Sequence, residues 1–174
     1  MSKQKTKGKQ FENKIASILH EFLYTEFTEY AKFLSEINSD LSVKRNSNSG
    51  ATINDDGDID LNLGKKYFPY SIECKFWKKF QDLNIFNINK SSVLPSVYKK
   101  QALPAAKNKN LKPIIIFQAN RTLPMVFFDN KLLNLNLYNI DYYIKLSNNF
   151  YICFLVDFLQ LHKPKGEGVI SWIT

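Results

Sequence analysis

The chain has 174 residues, of which 44% are hydrophobic, and it carries a formal net charge of +8 at pH 7. This length and composition predict a single domain with a sizeable core and exclude a disordered tail as the main identity. Two cysteines are too few for a disulfide framework or a cysteine-based zinc site, and no apolar run is long enough for a membrane span or a signal peptide. We therefore expect a protein of the reducing cytoplasm with no membrane partner.

The N-terminal third is predicted to contain a basic arm, a long helix and a loop. Residues 1–9 hold four lysines and predict a flexible arm, so the folded domain is expected to span residues 10–174. From Phe11 to about residue 37 the apolar residues recur at helical spacing, which predicts a helix that can break once along its length. Residues 46–57 are rich in Asn, Ser, Asp and Gly and predict a loop.

Two strands are predicted to follow this loop as an antiparallel hairpin. Residues 58–63 alternate polar and apolar side chains with the period of two that a half-buried strand requires. Residues 64–66 form the predicted turn, and residues 67–77 form the partner strand.

The C-terminal half is predicted to add a helix and further strands. The helix is expected around residues 96–107, although Pro104 should kink it or end it early. The continuous apolar run at 113–119 is typical of a strand buried on both faces. Shorter patterns predict strands at 125–128 and 150–154 and a terminal helix at 156–162. This order of elements predicts a mixed α/β domain.

The predicted hairpin gathers carboxylates and an ammonium group on one face. Residues two apart in a strand share a face, so Asp58 points the same way as Asp60, and Glu73 the same way as Lys75. Carboxylates held this close repel each other and usually need a cation, and oxygen ligands with room for water favour Mg²⁺ or Mn²⁺ over zinc. A metal beside a lysine can activate water and offset charge on a phosphate, as phosphodiester hydrolysis requires. The alternative is a solvent-exposed hairpin with cross-strand ion pairs.

The positive charge is concentrated in one part of the chain. Residues 65–109 hold ten lysines against two acidic residues, and a second, smaller lysine cluster lies in residues 1–9. Localised positive charge attracts a polyanion, because each neutralised phosphate releases condensed counterions. Nucleic acid is therefore a predicted partner, and a solvated lysine-rich surface is the alternative.

These motifs resemble the signature of the PD-(D/E)XK nuclease superfamily. The core match is formed by residues 57–59 (Gly-Asp-Ile) and 71–75 (Ser-Ile-Glu-Cys-Lys). Residues 8–12 resemble the start of the first helix, and residues 45–50 the Arg–Ser–Gly loop, of the Holliday-junction-resolvase-like branch. The sequence is also similar to phage-type endonucleases of the superfamily, in which the Ile-Glu-Cys-Lys motif precedes a Trp and then a helix with Gln and Ala. The corresponding residues here are Trp77, Gln101 and Ala105.

The resemblance implies a restriction-endonuclease-like fold, with a mixed central sheet flanked by helices, and a metal-dependent active site. It assigns metal binding to Asp58 and Glu73, and Mg²⁺ or Mn²⁺ is the expected ion. Asp60 shares the face of Asp58, but Asp58 is favoured because it directly follows Gly57, which stands where the family has its name-giving proline. The expected catalytic residues are Glu12, Asp58, Glu73 and Lys75.

The same resemblance implies a DNA endonuclease, and a structure-selective Holliday junction resolvase is favoured. Two symmetric cuts in branched DNA need two sites, so a homodimer active in DNA recombination is expected. The alternatives are a phage-type nuclease acting on duplex or damaged DNA, and a non-catalytic nucleic-acid-binding domain of the same fold. If a phage encodes the chain, the location is the host cytoplasm. The candidate DNA contacts are Arg45, Ser49, Lys78, Lys79, Lys99, Lys100 and Gln101.

Overall fold

The computed structural model describes residues 3–36, 43–46, 57–61, 65–83, 85, 93–107, 109–146 and 149–163. Its helices are α1 (Lys3–Glu26), α2 (Thr28–Glu36), α3 (Val93–Val97), α4 (Leu103–Lys107), α5 (Asn130–Leu133) and α6 (Leu155–Gln160). Its strands are β1 (Lys44–Arg45), β2 (Ile59–Asp60), β3 (Tyr70–Trp77), β4 (Lys112–Ala119), β5 (Met125–Asp129), β6 (Tyr143–Lys145) and β7 (Phe150–Phe154). Within these ranges no helix combines the length and hydrophobicity needed to cross a bilayer.

Five strands form one mixed sheet in the order β3-β4-β5-β7-β6. Strands β3 and β4 run parallel, and the other neighbours in this sheet run antiparallel. Strands β1 and β2 form a separate antiparallel pair. A mixed sheet flanked by helices confirms the predicted α/β class of the restriction-endonuclease-like type.

Apolar side chains pack on both faces of the sheet, and β4 contributes to both packed layers. Ile114 and Ile116 point into a cluster that includes α1, α2 and α6. Ile115 and Phe117 point the other way, into a cluster with α3 and Tyr98. Burial on both faces explains why the sequence of β4 is continuously apolar and confirms this predicted strand.

The first helix differs from its prediction at the start and agrees with it at the break. It begins at Lys3, inside the stretch predicted as a flexible arm. Lysine and glutamine lose little side-chain freedom in a helix, so the turn anchored by Phe11 extends readily towards the N-terminus. The helix breaks at buried Phe27, between α1 and α2, as the pattern allowed. A single domain over residues 10–174 stays a prediction.

The predicted antiparallel hairpin is wrong. Gly57, just before β2, forms a parallel bridge with Ile72 of β3, whereas β2 pairs antiparallel with β1. A period of two identifies a strand and its buried face, but it is the same for both strand directions. Residues 62–64, which include the end of the first predicted strand and the first residue of the predicted turn, lie outside the described residues.

A π-helical turn accommodates the proline in the predicted helix at 96–107. The helical segment runs from α3 through this turn (Tyr98–Ala102) into α4. The Leu103 N–H donates to the carbonyl of Tyr98, five residues back. Pro104, which has no N–H to donate, follows directly, and the altered bonding pattern lets the helix continue past it to Lys107.

Candidate active site

Asp58 lies at the open edge of β3, on the side away from β4. Gly57 has a φ of +93°, and a Cβ there would lie 2.4 Å from the Ile72 carbonyl oxygen, so only glycine fits. The Asp58 N–H donates to that carbonyl at 2.7 Å, and the Asp58 carboxylate accepts from the Cys74 N–H at 2.7 Å. Because these partners flank Glu73 in the strand, the two bonds hold Asp58 beside Glu73.

Glu73 and Lys75 share one face of β3 and form a hydrogen-bonded ion pair. The Glu73 side chain is 12% exposed and that of Lys75 is 30% exposed, so both are mostly withdrawn from water but still reachable. The alternate positions Ile72 and Cys74 are buried in the core. The strand therefore separates a charged face from an apolar face, as its alternating sequence predicts.

The Asp58 carboxyl is buried and lies near two other carboxylates. Burial, the carboxylate of Glu73 and, to a smaller extent, that of Glu12 raise the pKa of Asp58 to about 7. The Cys74 N–H and the Lys75 ammonium oppose this rise only in part. A bound cation would favour the ionised carboxylate instead.

Lys75 stays charged despite its partial burial. Burial lowers the pKa of Lys75, but the neighbouring carboxylates of Glu73 and Asp58 raise it by more, so the net shift is upward. Buried Cys74 behaves differently, because burial and the same carboxylates raise the pKa of its thiol well above the usual range. The site thus offers a stable ammonium group and no thiolate nucleophile at this position.

Glu12 of α1 approaches the same edge and pairs with Arg45 of β1. Their side chains are 15% and 20% exposed, respectively. The charge of Glu12 reaches Asp58, because it contributes to the raised pKa of that carboxyl. The sequence predicts Glu12 at the metal and Arg45 at a DNA phosphate, whereas the structure joins the two residues to each other.

Asp60, the alternative to Asp58, lies opposite Lys44 in the β1–β2 pair and is half-buried. The Asp58 carboxylate, by contrast, accepts a hydrogen bond from a backbone N–H of β3. The Asp58 carboxylate is therefore in direct contact with the strand that carries Glu73. Which of the two aspartates binds metal stays a prediction.

The lysine candidates for DNA contact are exposed to solvent. Lys78 and Lys79 directly follow β3, and Lys99, Lys100 and Gln101 lie on the π-helical turn. Tyr98 and Ala102 in that turn are buried against the sheet, so the residues between them are directed outward. Ser49 lies outside the described residues.

A polar contact that sequence reasoning missed ties α1 to the end of β4. The Lys14 ammonium donates to the side-chain carbonyl of Gln118 at 3.3 Å, and the Gln118 amide donates to the Thr122 carbonyl. These contacts help to hold α1, and hence Glu12, over the sheet. Lys14 and Gln118 are 104 positions apart in the chain, so no local pattern indicates their contact.

The donor set fits a hard divalent cation that keeps several waters. Asp58 and Glu73 are adjacent carboxylates, and burial together with the charge of Glu73 raises the pKa of Asp58. Mg²⁺ commonly binds through one or two carboxylates and completes its shell with water and substrate oxygens. Across the described ranges, no three His, Cys, Asp or Glu side chains form a ready-made metal-binding group. A metal ion at this site would therefore be held by two carboxylates and by water.

Comparison with known proteins gives one family match. The model of a family described as "Phage putative PDDEXK endonuclease" matches residues 3–170, which include every described residue and the whole acidic site. No curated protein and no solved structure gives a significant match to the chain.

Proposed function

The chain belongs to the family described as "Phage putative PDDEXK endonuclease", and on that basis we propose that it cleaves DNA at the site formed by Asp58, Glu73 and Lys75. Membership supports a nuclease hydrolase with DNA as substrate. The observation that carries the proposal is the meeting of two carboxylates and one ammonium group at the open edge of β3. An ordinary surface ion pair would not bury a second carboxylate beside the first.

Asp58 and Glu73 are the residues that would hold the metal. PD-(D/E)XK nucleases usually use divalent metals, and we propose Mg²⁺ or Mn²⁺ here because the donors are all oxygen. When bound, such an ion supplies positive charge to the phosphate and acidifies water. The Cys74 N–H fixes the Asp58 carboxylate in advance, so it needs little reorganisation when substrate arrives.

Lys75 is proposed to stabilise the negative charge that develops on the phosphate oxygens. Its ammonium stays protonated because the adjacent carboxylates favour the charged form. Glu73 orients the ammonium through their ion pair. Glu12 adds negative charge near Asp58 and is held by Arg45, so we propose that this pair tunes the acidic site.

The favoured substrate is branched DNA, such as a four-way junction, cut by a homodimer. Support comes from the resemblance of residues 8–12 and 45–50 to the resolvase-like branch, and from the need for two active sites in paired cuts. A nuclease acting on duplex or damaged DNA is the second candidate, because the matching family is the phage-type one. A non-catalytic binding domain is disfavoured by the retention of Asp58, Glu73 and Lys75.

The exposed lysines are proposed to hold the DNA backbone. Lys78, Lys79, Lys99 and Lys100 lie in the stretch with the excess positive charge. Phosphate contacts position a protein on DNA without reading its sequence. We expect these residues, with Gln101, to contribute to affinity on any DNA shape.

A cleavage assay tests the proposal directly. Purified protein is incubated with a four-way junction and with a linear duplex of the same arm sequence, in Mg²⁺, Mn²⁺, Ca²⁺ or EDTA. We expect cutting in Mg²⁺ or Mn²⁺, binding with little cutting in Ca²⁺, and none in EDTA. Faster cutting of the junction supports a resolvase, and equal cutting supports the duplex nuclease. Undiminished cutting in excess chelator would show that the acidic pair is not a metal site.

A further inference from the structure

A groove of about 660 Å³ lies between α1 and the segment that contains β1. This volume is within the range of about 300–1,000 Å³ that is typical of ligand-binding sites. The groove is outside the carboxylate cluster, and Arg45 is its one described lining residue with a role assigned above. Its lining residues are Lys9, Asn13, Ala16, Ser17 and His20 of α1, with Val43, Lys44 and Arg45.

The chemistry of this lining suits a polyanion. Three of the lining residues are cationic, and none of those described is acidic. Lys9 and Lys44 are both exposed, so their charge faces solvent, whereas Arg45 pairs with Glu12. Asn13 contributes a polar side chain from the exposed face of α1. Cations and polar groups spread along a groove match the repeating charge of a phosphate backbone better than a single small anion.

A pair of aromatic rings, one half-buried and one exposed, extends along α1 from the groove. The rings of His20 and Tyr24, one turn apart on α1, are stacked with centroids 5.9 Å apart and an interplanar angle of 23°. Tyr24 is 52% exposed, so its ring can accept a further stacking partner. The faces of bases are accessible in single strands but are covered by neighbouring base pairs in a duplex. The ring pair therefore favours a single strand as the ligand.

Arg45 connects the groove to the acidic site. It lines the groove and pairs with Glu12, and the N–H of the next residue, Asn46, donates to the Asp58 carbonyl at 2.8 Å. A strand bound along the groove would therefore approach the carboxylates beside β3.

We propose that this groove binds a single-stranded segment of DNA next to the scissile duplex. The preferred substrate would then be branched or tailed DNA in which an unpaired flap, gap or tail adjoins the duplex, rather than a fully paired four-way junction. This inference rests on the proposed nuclease function for the identity of the polyanion, and it narrows the substrate class of the same enzyme.

Binding measurements without divalent metal test the groove separately from catalysis. Fluorescence anisotropy in EDTA compares a blunt duplex with the same duplex carrying a single-stranded tail, over a range of salt concentrations. We expect wild-type protein to bind the tailed DNA at least about tenfold more tightly. Each phosphate neutralised on a single strand adds about −0.7 to the log–log salt slope. The double variant Lys9→Ala, Lys44→Ala should therefore have a slope on tailed DNA that is shallower by about 1.4.

Two further variants define what the groove contributes. Tyr24→Ala should lose about tenfold in affinity for tailed DNA, because one stacked base is lost, with the salt slope and blunt-duplex binding unchanged. Lys131→Ala, Lys145→Ala removes the same charge from exposed residues of α5 and β6 and should retain the preference for the tail. Equal wild-type affinity for tailed and blunt DNA, or an unchanged slope in the Lys9, Lys44 variant, would overturn the groove proposal.

The cleavage assay keeps the two proposals distinguishable. If the protein cuts DNA in Mg²⁺ but binds tailed and blunt DNA equally well, the groove proposal is overturned and the nuclease proposal is supported. If the preference for tailed DNA depends on Lys9 and Lys44 but the protein cuts no DNA with any divalent cation, the groove proposal is supported and the nuclease proposal is overturned.

Discussion

At the β5 and β7 end of the sheet the buried side chains are apolar, whereas at the open edge of β3 they include carboxylates. Phe127 and Phe128 of β5 are fully buried, and Phe127 stacks on Phe150 with ring centroids 4.8 Å apart. Asp58 is only 8% exposed, and burial together with the nearby carboxylates raises its pKa. Burial of apolar side chains in the first region stabilises the folded protein, whereas burial of acidic side chains in the second region destabilises it. A protein keeps such an unfavourable cluster where chemistry needs it.

His162 shows that burial of a titratable group is not by itself a sign of function. Its ring is 3% exposed and packs against Phe68, Tyr70 and Phe158. Nδ1 lies 2.7 Å from the Phe158 carbonyl, which can only accept, so Nδ1 carries the proton. Nε2 then accepts from the Tyr70 hydroxyl at 2.6 Å. The neutral ring is fully bonded and carries no charge, unlike the carboxylate pair, which concentrates two acidic groups in one place.

The largest expected effect is on stability, in the apolar region. Phe127→Ala should lower the free energy of unfolding by about 3–5 kcal/mol, because it leaves a cavity in a closely packed core. Urea denaturation measures this loss, and the remaining folded protein should cut DNA normally. The control is Phe154→Ala, which removes a side chain that is 37% exposed and should cost far less. Equal losses in both variants would contradict the contrast between packed and exposed positions.

In the acidic region the next largest effect should be on activity. Glu73→Ala should reduce cleavage by about 10²- to 10³-fold, as is typical when one charge-stabilising group is removed from a reaction centre. Lys75→Ala should act similarly, and both variants should remain folded by circular dichroism. Asp141→Asn, which neutralises an exposed carboxylate elsewhere, is the matched control. Cleavage by Glu73→Ala at the wild-type rate would show that the active site lies elsewhere.

His162 should make the protein less stable in acid. Burial lowers the pKa of His162 to about 4, with the Phe158 hydrogen bond opposing the shift and Lys112 adding to it. Below an unfolded pKa of about 6.5 the unfolded state therefore binds more protons, and the free energy of unfolding falls as the pH falls from about 6.5 to about 4. The loss should total about 3 kcal/mol by pH 4. His162→Gln should show a shallower dependence of stability on pH across this window.

The smallest expected effect is a gain in stability when one carboxylate of the acidic pair is replaced by a neutral amide. The raised pKa of Asp58 means that the folded state holds the extra proton, so this group lowers stability as the pH rises from about 4 to about 7. Asp58→Asn should be about 1–2 kcal/mol more stable than wild type at pH 8, with a smaller gain at pH 5. Its amide oxygen can still accept from the Cys74 N–H. Thermal melts at both pH values measure the gain, and a less stable variant at pH 8 would contradict the account of the site.

Local patterns in the sequence predicted much of the fold. The helical spacing of apolar residues predicted the first helix and its break, and the apolar run at 113–119 predicted β4. The period of two placed Glu73 and Lys75 on one face, which the structure confirms. These features depend on residues a few positions apart, so the sequence alone reveals them. The short elements α5 and β6 were missed, because three or four residues carry too little periodicity to identify.

The direction of strand pairing and the surroundings of the acidic site depended on tertiary structure. The parallel approach of Gly57 to Ile72 replaced the predicted hairpin, because alternation does not encode a strand's partner. Glu12 and Arg45 are 33 positions apart, and the packing of α1 against β1 brings them together. The same packing forms the groove beside them. The sequence thus determined which groups carry charge and which face of a strand they share. The tertiary structure decided how far each charge is removed from water and which distant charge lies beside it, and these two quantities set the pKa of Asp58.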